Sequence, residues 1–370
     1  MTLDRWGILL CSQSSEQTCC GSSRPDAGVK EELMVKRRPI VSISIATFRR
    51  PEGLRILLHS INDQIFEGPE PDVRIVVVDN DADAPIHRSH GRVEDWCRFP
   101  VTYVVEAERG IDSARNRGLN TVAPESDFIV FIDDDERATP TWLDSLLRTQ
   151  RQTGAAVVQG PVTPEYEVEP EAWLTASGLY QMGPYEEGQT VLYAATNNTL
   201  VSKQAIDRAR LRFDQRFNLN GGGDHDFFDR LVEAGFGPMV GSADAHVIET
   251  VPASRTQFSW IVRRHFRIGN SLGLISRLRG GPLGMTERVI KSVGRVVVGT
   301  VKTVLGTVSS RALATQGIGD VAWGLGALYA VSGFDYQEYR ARPEYASAVE
   351  PKISAPKIGA PKIAAETTRT

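Results

Sequence analysis

Two hydrophobic patterns alternate between residues 40 and 135. Short β-branched and aliphatic runs, IVSISIAT (40–47), VRIVVVDND (73–81), VTYVVEAE (101–108) and DFIVFID (127–133), are bounded by turn residues. They predict strands buried on both faces. Between the first two, RRPEGLRILLHSINDQ sets Leu54, Leu57, Leu58 and Ile61 at helical spacing, with Pro51 where a first turn tolerates it. IDSARNRGLNTV (111–122) predicts a second helix. Strand–helix–strand order of this kind predicts an α/β fold with a parallel, doubly wound sheet. Ligands in such sheets bind beyond the carboxyl ends of the strands. Asp79, Asp81 and Asp133 to Asp135 all fall there.

Further on the pattern is mixed. AAVVQGPVTP (155–164) and LYAATNNTLVS (192–202) each predict a strand, and DHDFFDRLVEAG (224–235) a helix with Asp224 near its start and Gly235 at its stop. Residues 257–340 read as helical, too Gly-rich and interrupted to span a membrane. The organisation expected is a disordered extension over 1–38, a catalytic domain over 39–270, a basic amphipathic helical extension over 271–345 and a disordered Pro/Lys repeat tail over 346–370. Met34, just ahead of VKRRPIVSISIATF, makes the more natural start.

Charge changes the picture of the last third. From Arg255 to Arg311 there are eleven Lys/Arg and a single acid, Glu287, so an anionic partner is expected despite a net charge of −4. Basic residues alternating with Val, Leu and Trp over 271–340 suit an in-plane helix on an anionic membrane face, or a helical appendage packed on the catalytic domain. No nucleic-acid reader motif accompanies them, so nucleic-acid binding is not expected. Three of four cysteines crowd the first twenty residues, in no disulfide or zinc pattern. A reducing, cytoplasmic setting is expected from the cysteines, and the basic helices are expected to hold the chain on the cytoplasmic face of the inner membrane.

Three constellations carry candidate chemistry. In FIDDDE (131–136) four acids end an apolar strand; such a run is costly unless a basic surface or a divalent cation faces it. In RGIDSARNRGL (109–119) Arg109, Arg115 and Arg117 surround a turn into a helix, a setting for an anion. In NLNGGGDHDFFDRL (218–231) three glycines precede Asp224 and Asp226. Helix capping explains the acids but not the glycines, which allow close approach to the backbone. The histidines His59, His87, His90 and His265 show no ligand spacing, and Trp142, Trp173 and Trp260 suit a core better than a sugar platform.

SISIATFRRP, VVVDND, GIDSARNRGL, FIDDDE and GGGDHDFF occur in the order and spacing of inverting family 2 glycosyltransferases with the GT-A fold, which residues 40–270 resemble. AHVIETVPASRTQFSWIVRRHFRIGNS (245–271) resembles bacterial exopolysaccharide transferases of the succinoglycan-assembly type. The resemblance implies a nucleotide-sugar donor, UDP-linked, a glycan or lipid-linked acceptor, and Mg²⁺ or Mn²⁺. It implies Thr47, Arg49 and Arg50 beside the base and ribose, Asp79 on the base, Arg115 near the nucleotide or diphosphate and Asp133 on the ribose or donor sugar. Asp135 would bind the metal and Asp224 would be the general base. Relatives place a metal-binding His where Glu249 stands, with His246 nearby, so the third ligand is open. Arg263 and Arg264, with Asp226, would face the diphosphate or acceptor.

The chemistry agrees with that carry-over. Expelling a nucleoside diphosphate requires positive charge at the leaving group, and the acceptor hydroxyl requires a carboxylate to take its proton. A sugar-phosphate nucleotidyltransferase would share the sheet but want a Gly-rich loop after the first strand, and ATFRRPEG is a poor one. A catalytically silent scaffold is the rival from outside enzymology.

Overall fold

The computed structural model describes residues 37–177 and 179–337. The predicted tail over 346–370, nearly all of the 1–38 extension and the Met34 start lie outside the described residues. β1 (Ile40–Thr47), α1 (Pro51–Asn62), β2 (Asp72–Asp79), α2 (Ile86–His90), β3 (Val101–Val105), α3 (Ile111–Thr121) and β4 (Phe128–Ile132) follow in the predicted alternation. Side chains of β1 segregate by strand periodicity. Val41, Ile43 and Ile45 share a core with Leu54, Leu57, Leu58 and Ile61 of α1. On the other face Val76, Val78, Ile129 and Phe131 pack with Ala114 and Leu119 of α3.

β5 (Glu136–Ala138), α4 (Trp142–Thr153), β6 (Val157–Gln159), β7 (Val162–Tyr166), α5 (Ala172–Ser177), β8 (Thr190–Val191), β9 (Asn198–Ser202), α6 (Lys203–Ala209), α7 (Gly223–Leu231), β10 (Met239–Gly241) and β11 (Val247–Val251) complete the α/β part. The main sheet runs β3-β2-β1-β4-β9-β6-β10-β8, and a second runs β5-β11-β7. The first four strands of the large sheet are parallel, whereas β9 lies antiparallel to both β4 and β6. The sheet is thus mostly parallel. Register aligns Thr47 with Asp79 and Asp79 with Val105, bringing the strand ends to one edge. Ile132 pairs with Asn198, so the start of β9 meets the end of β4 there.

Two strand expectations need correction. The single strand over 155–164 is two: β6 ends at Gln159, and β7 resumes at Val162 in the other sheet. Pro161 between them has no N–H for a ladder. Of 192–202 only Asn198–Ser202 is strand.

α8 (Phe258–Arg279), α9 (Gly281–Ser309) and α10 (Arg311–Val331) form the C-terminal helices. The expected boundary at 270/271 falls inside α8, so the helical part begins at Phe258. Its internal packing is close: a Cβ on Gly269 of α8 or on Gly306 of α9 would overlap the backbone of α10. Asp320 of α10 accepts from Arg295 at 2.9 Å and Lys302 at 2.8 Å, both on α9. α8 is joined to the catalytic part by the Arg279–Asp226 ion pair and by Leu274 packed on Phe217. Among the described residues no helix is long and apolar enough to cross a membrane.

Candidate active site

The acidic run turns its members different ways. Asp134 and Glu136 point inward, 5% and 2% exposed, while Asp133 keeps 39% of its side-chain surface accessible. Thr47, ending β1, donates its hydroxyl to Asp134 Oδ2 at 2.7 Å. Arg50, before α1, donates from Nη1 to Asp134 Oδ1 and to Asp135 Oδ2, both at 2.9 Å. Arg255 reaches Asp135 at 3.3 Å and Glu249 at 3.4 Å. Glu136 Oε2 accepts the Asp133 amide at 3.0 Å, and its Oε1 is buried with no partner. Arginines and backbone thus meet the charge that the sequence left unaccounted for.

The remaining carboxylates are held towards the neutral form. Partial withdrawal from water, offset by Arg115 and reinforced by Asp135, Asp134 and Glu249, raises the half-buried Asp133. Burial raises Glu136 well above the ordinary carboxylate range. Burial and then the charge of Asp135 raise Glu249, a register partner of Glu136 across β11 and β5.

A second carboxylate group is linked to the first through Arg115. Arg115 of α3 sits 4.0 Å from Asp133 and 3.7 Å from Asp112. Asp112 is fully buried, and neither oxygen has a hydrogen-bond partner. Burial raises it to about 7 against the pull of Arg115, with Asp224, Asp226 and Asp214 adding repulsion. It abuts Gly223, where a Cβ would overlap its carboxylate. This contact, with the left-handed Gly222 (φ 92°), explains the glycine run. It lets the first turn of α7 come down on α3 and carry Asp224 towards Asp112.

Asp224 accepts the Tyr193 hydroxyl on Oδ2 at 3.3 Å and the His225 amide on Oδ1 at 2.8 Å. Tyr193 is raised well above its usual range by burial and then by Asp224, with Arg264 and Arg115 opposing. Arg264 lies 5.3 Å over the Trp260 ring and 5.2 Å over that of Tyr180, its Nε buried without a partner. Burial and Arg267 lower its pKa, while Glu249 raises it. Ion pairs, hydrogen bonds and mutual electrostatic influence thus link Asp134, Arg50, Asp135, Arg255, Glu249, Arg264, Tyr193, Asp224, Asp112, Arg115 and Asp133 into one group.

Other expected residues lie elsewhere or are differently engaged. Asp79 is fully buried and accepts the amides of Asp81 and Ile86 and the Tyr103 hydroxyl, bracing the loop after β2. Arg49, in a left-handed conformation (φ 56°), donates to Asp81 at 2.5 Å. Asp226 is fully buried between Arg230, at 2.8 Å, and Arg279; its carboxylate ties α7 to α8. Arg263 is exposed, because one helical step turns it away from Arg264. His246 precedes β11, about 10 Å along the chain from Glu249 and on the opposite face by alternation. It does not join the acidic group. Trp142 is core, donating its indole N–H to Asn198.

Sequence reasoning did not single out Asp112, Tyr193, Arg255, Thr196 or Asn197 as site residues. Thr196 Oγ1 and Asn197 Oδ1 are buried without partners just before β9, beside the end of β4. The polar run ATNN ahead of an apolar strand was the available signal.

The glycosyl transferase family 2 model matches residues 42–209. The succinoglycan biosynthesis protein ExoM of Rhizobium meliloti (strain 1021) is 33% identical over 233 residues, 63% of this chain and 74% of that protein. The chain belongs to glycosyl transferase family 2. A glucosyl-dolichyl phosphate glucuronosyltransferase of Haloferax volcanii is 24% identical over 62% of this chain and 75% of its own. Among solved structures, S. aureus TarS 1-349 in complex with UDP is similar at 12% identity and a TM-score of 0.43, over 80% of this chain and 92% of that one. Family model and relative together make the protein a glycosyltransferase, and the nucleotidyltransferase reading falls away.

Two carboxylates of this glycosyltransferase have the chemistry a hard divalent cation takes, although arginines already face both. Asp135 and Glu249 offer carboxylate oxygens close enough for the charge of one to raise the other. Mg²⁺ and Mn²⁺ sites of this kind take one or two carboxylates, with substrate phosphates completing the shell. Among the described residues no group of three or more His, Cys, Asp or Glu converges as a metal site.

Proposed function

We propose that this glycosyltransferase moves a sugar, with inversion, from a UDP-linked donor to a glycan or lipid-linked saccharide in the assembly of a surface exopolysaccharide. This linked group carries the reading: arginines and carboxylates at the strand ends, joined through Arg264 and Tyr193 to Asp224. The diphosphate would lie against Arg50, Arg255 and Arg115. Asp135 with Glu249 would hold Mg²⁺ or Mn²⁺, which would supply charge to the leaving diphosphate. Asp133, with Thr196 and Asn197, offers acceptors for ribose or donor-sugar hydroxyls. Asp79 and Arg49 brace the loop on which the base would rest.

Asp224 retains lone pairs for an acceptor O–H. The acceptor oxygen attacks the anomeric carbon as its proton passes to the Asp224 carboxylate. The bond from that carbon to the phosphate oxygen breaks, and the nucleoside diphosphate leaves with the electron pair. One displacement with one base gives inversion, without a second carboxylate nucleophile. General-base assistance of this kind contributes about 10²–10⁴-fold.

Calorimetry of UDP binding with Mn²⁺ and with EDTA, for the wild type and Asp135→Ala, tests the placement. Metal-dependent affinity lost in the variant is expected. Metal-independent binding that survives the substitution would refute it.

A further inference from the structure

α9 is two-faced in a way its packing does not use up. Ser292, Gly299 and Gly306, seven residues apart, are buried, and the two glycines press against α10. On the opposite side Ile290, Val297, Val301, Val304 and Val308 recur at seven- and four-residue spacings, from 53% exposed at Val301 to 88% at Val308. No acid lies between Arg288 and Ser309. The stripe runs most of a helix about 43 Å long. Contiguous exposed apolar surface of this extent marks an interaction face.

Charge decides what covers it. Residues 258–337 carry ten Lys/Arg against three acids. A second copy placed against α9 would bring two strongly positive layers together, whereas a surface of anionic headgroups would complement them. Arg295 and Lys302 turn back to Asp320 and the exposed Glu287–Lys291 pair lies towards the start of the helix, which leaves the stripe from Val297 to Val308 without a charged side chain and fit to enter the headgroup–acyl boundary.

We propose that α9 is an in-plane membrane anchor, its apolar face seated in an anionic bilayer surface. The inference rests on the glycosyltransferase reading only in naming a lipid-linked saccharide as the acceptor reached there. α8 and α10 lock α9 to the catalytic part, so anchoring would present Asp224 to acceptors standing in the same leaflet.

The test is flotation of the full chain with phosphatidylglycerol-containing vesicles, for the wild type and for Val297→Ser, Val301→Ser, Val304→Ser combined. All three positions are solvent-facing and the fold should survive, which circular dichroism checks. The wild type is expected to float and the triple variant to lose partition at least tenfold, with UDP affinity unchanged. The matching triple Leu variant should bind as well as the wild type or better. A wild type that stays with the soluble fraction overturns the inference. So does a concentration-dependent dimer, abolished in the Ser variant, that does not float. UDP binding kept without flotation sinks the anchor alone; flotation without UDP binding sinks the enzymatic reading alone.

Discussion

Asp112→Asn replaces a buried carboxylate by a neutral group of the same shape. The wild-type carboxyl stands near 7 in the fold and near 4 in the unfolded chain. Below pH 4 both states hold the proton and the substitution changes little. Between 4 and 7 the unfolded chain has released its proton while the folded one keeps it. Wild-type stability from this group therefore falls as pH rises, by about 1.4 kcal/mol per unit. Above 7 both are ionised and the deficit is constant. Asparagine removes the effect, so the variant's advantage over the wild type should grow by about 3 kcal/mol between pH 5 and 8. Asp133, Glu136 and Glu249 titrate in the same sense, so only the difference between the two proteins is informative. Urea unfolding followed by tryptophan fluorescence at pH 5, 6, 7 and 8 measures it. A pH-independent difference, or a variant less stable at pH 8, would refute the account of Asp112 as a strained, proton-holding group.

Asp224→Asn should lower kcat by about 10²–10⁴-fold with UDP affinity retained; a normal turnover number would remove it as base. Asp226→Asn should instead act on stability. It unbalances Arg230 and Arg279 and should cost about 3–5 kcal/mol, read by urea unfolding, while kcat at a permissive temperature stays near wild type. Arg255→Ala should raise Glu249 further and reduce kcat by about 10-fold or more through lost leaving-group charge, checked by steady-state kinetics at saturating donor. Gly269→Ala sets a methyl group against the α10 backbone and should destabilise by about 1–3 kcal/mol, seen as a lower midpoint in thermal unfolding.

The parallel half of the fold was legible because its signals are local. β1 and α1 can be read from alternation and helical spacing alone. The second sheet was not, since β5 and β7 are three and five residues long and exist through pairing with β11, a long-range event. The site divides the same way. Asp133, Asp135 and Asp224 stand in motifs whose order is itself information. Asp226 lies in the same motif, yet it faces the opposite way round α7 and is taken by Arg279, fifty-three positions later in sequence. Asp112 and Tyr193 became visible only when α7 settled on α3, a contact that the glycines permit but do not announce. Charge was legible in its total and not in its placement. The lysines and arginines of α9 read as a membrane-facing set, and two of them fold inward on Asp320, leaving valine outermost.

The close helix contacts have a mechanical consequence. A layer held by backbone against backbone cannot flex like a tether, and with Arg279–Asp226 and Leu274 tying it to the catalytic part it would hold Asp224 at a set height above any surface α9 lies on. The enzyme would then measure its acceptors with a ruler: a lipid-borne saccharide of one length would meet Asp224, and one longer or shorter by a sugar would pass above or below it. Vesicle-borne acceptors of graded length should show a sharp optimum in kcat/KM, which should flatten when the same molecules are dispersed in detergent.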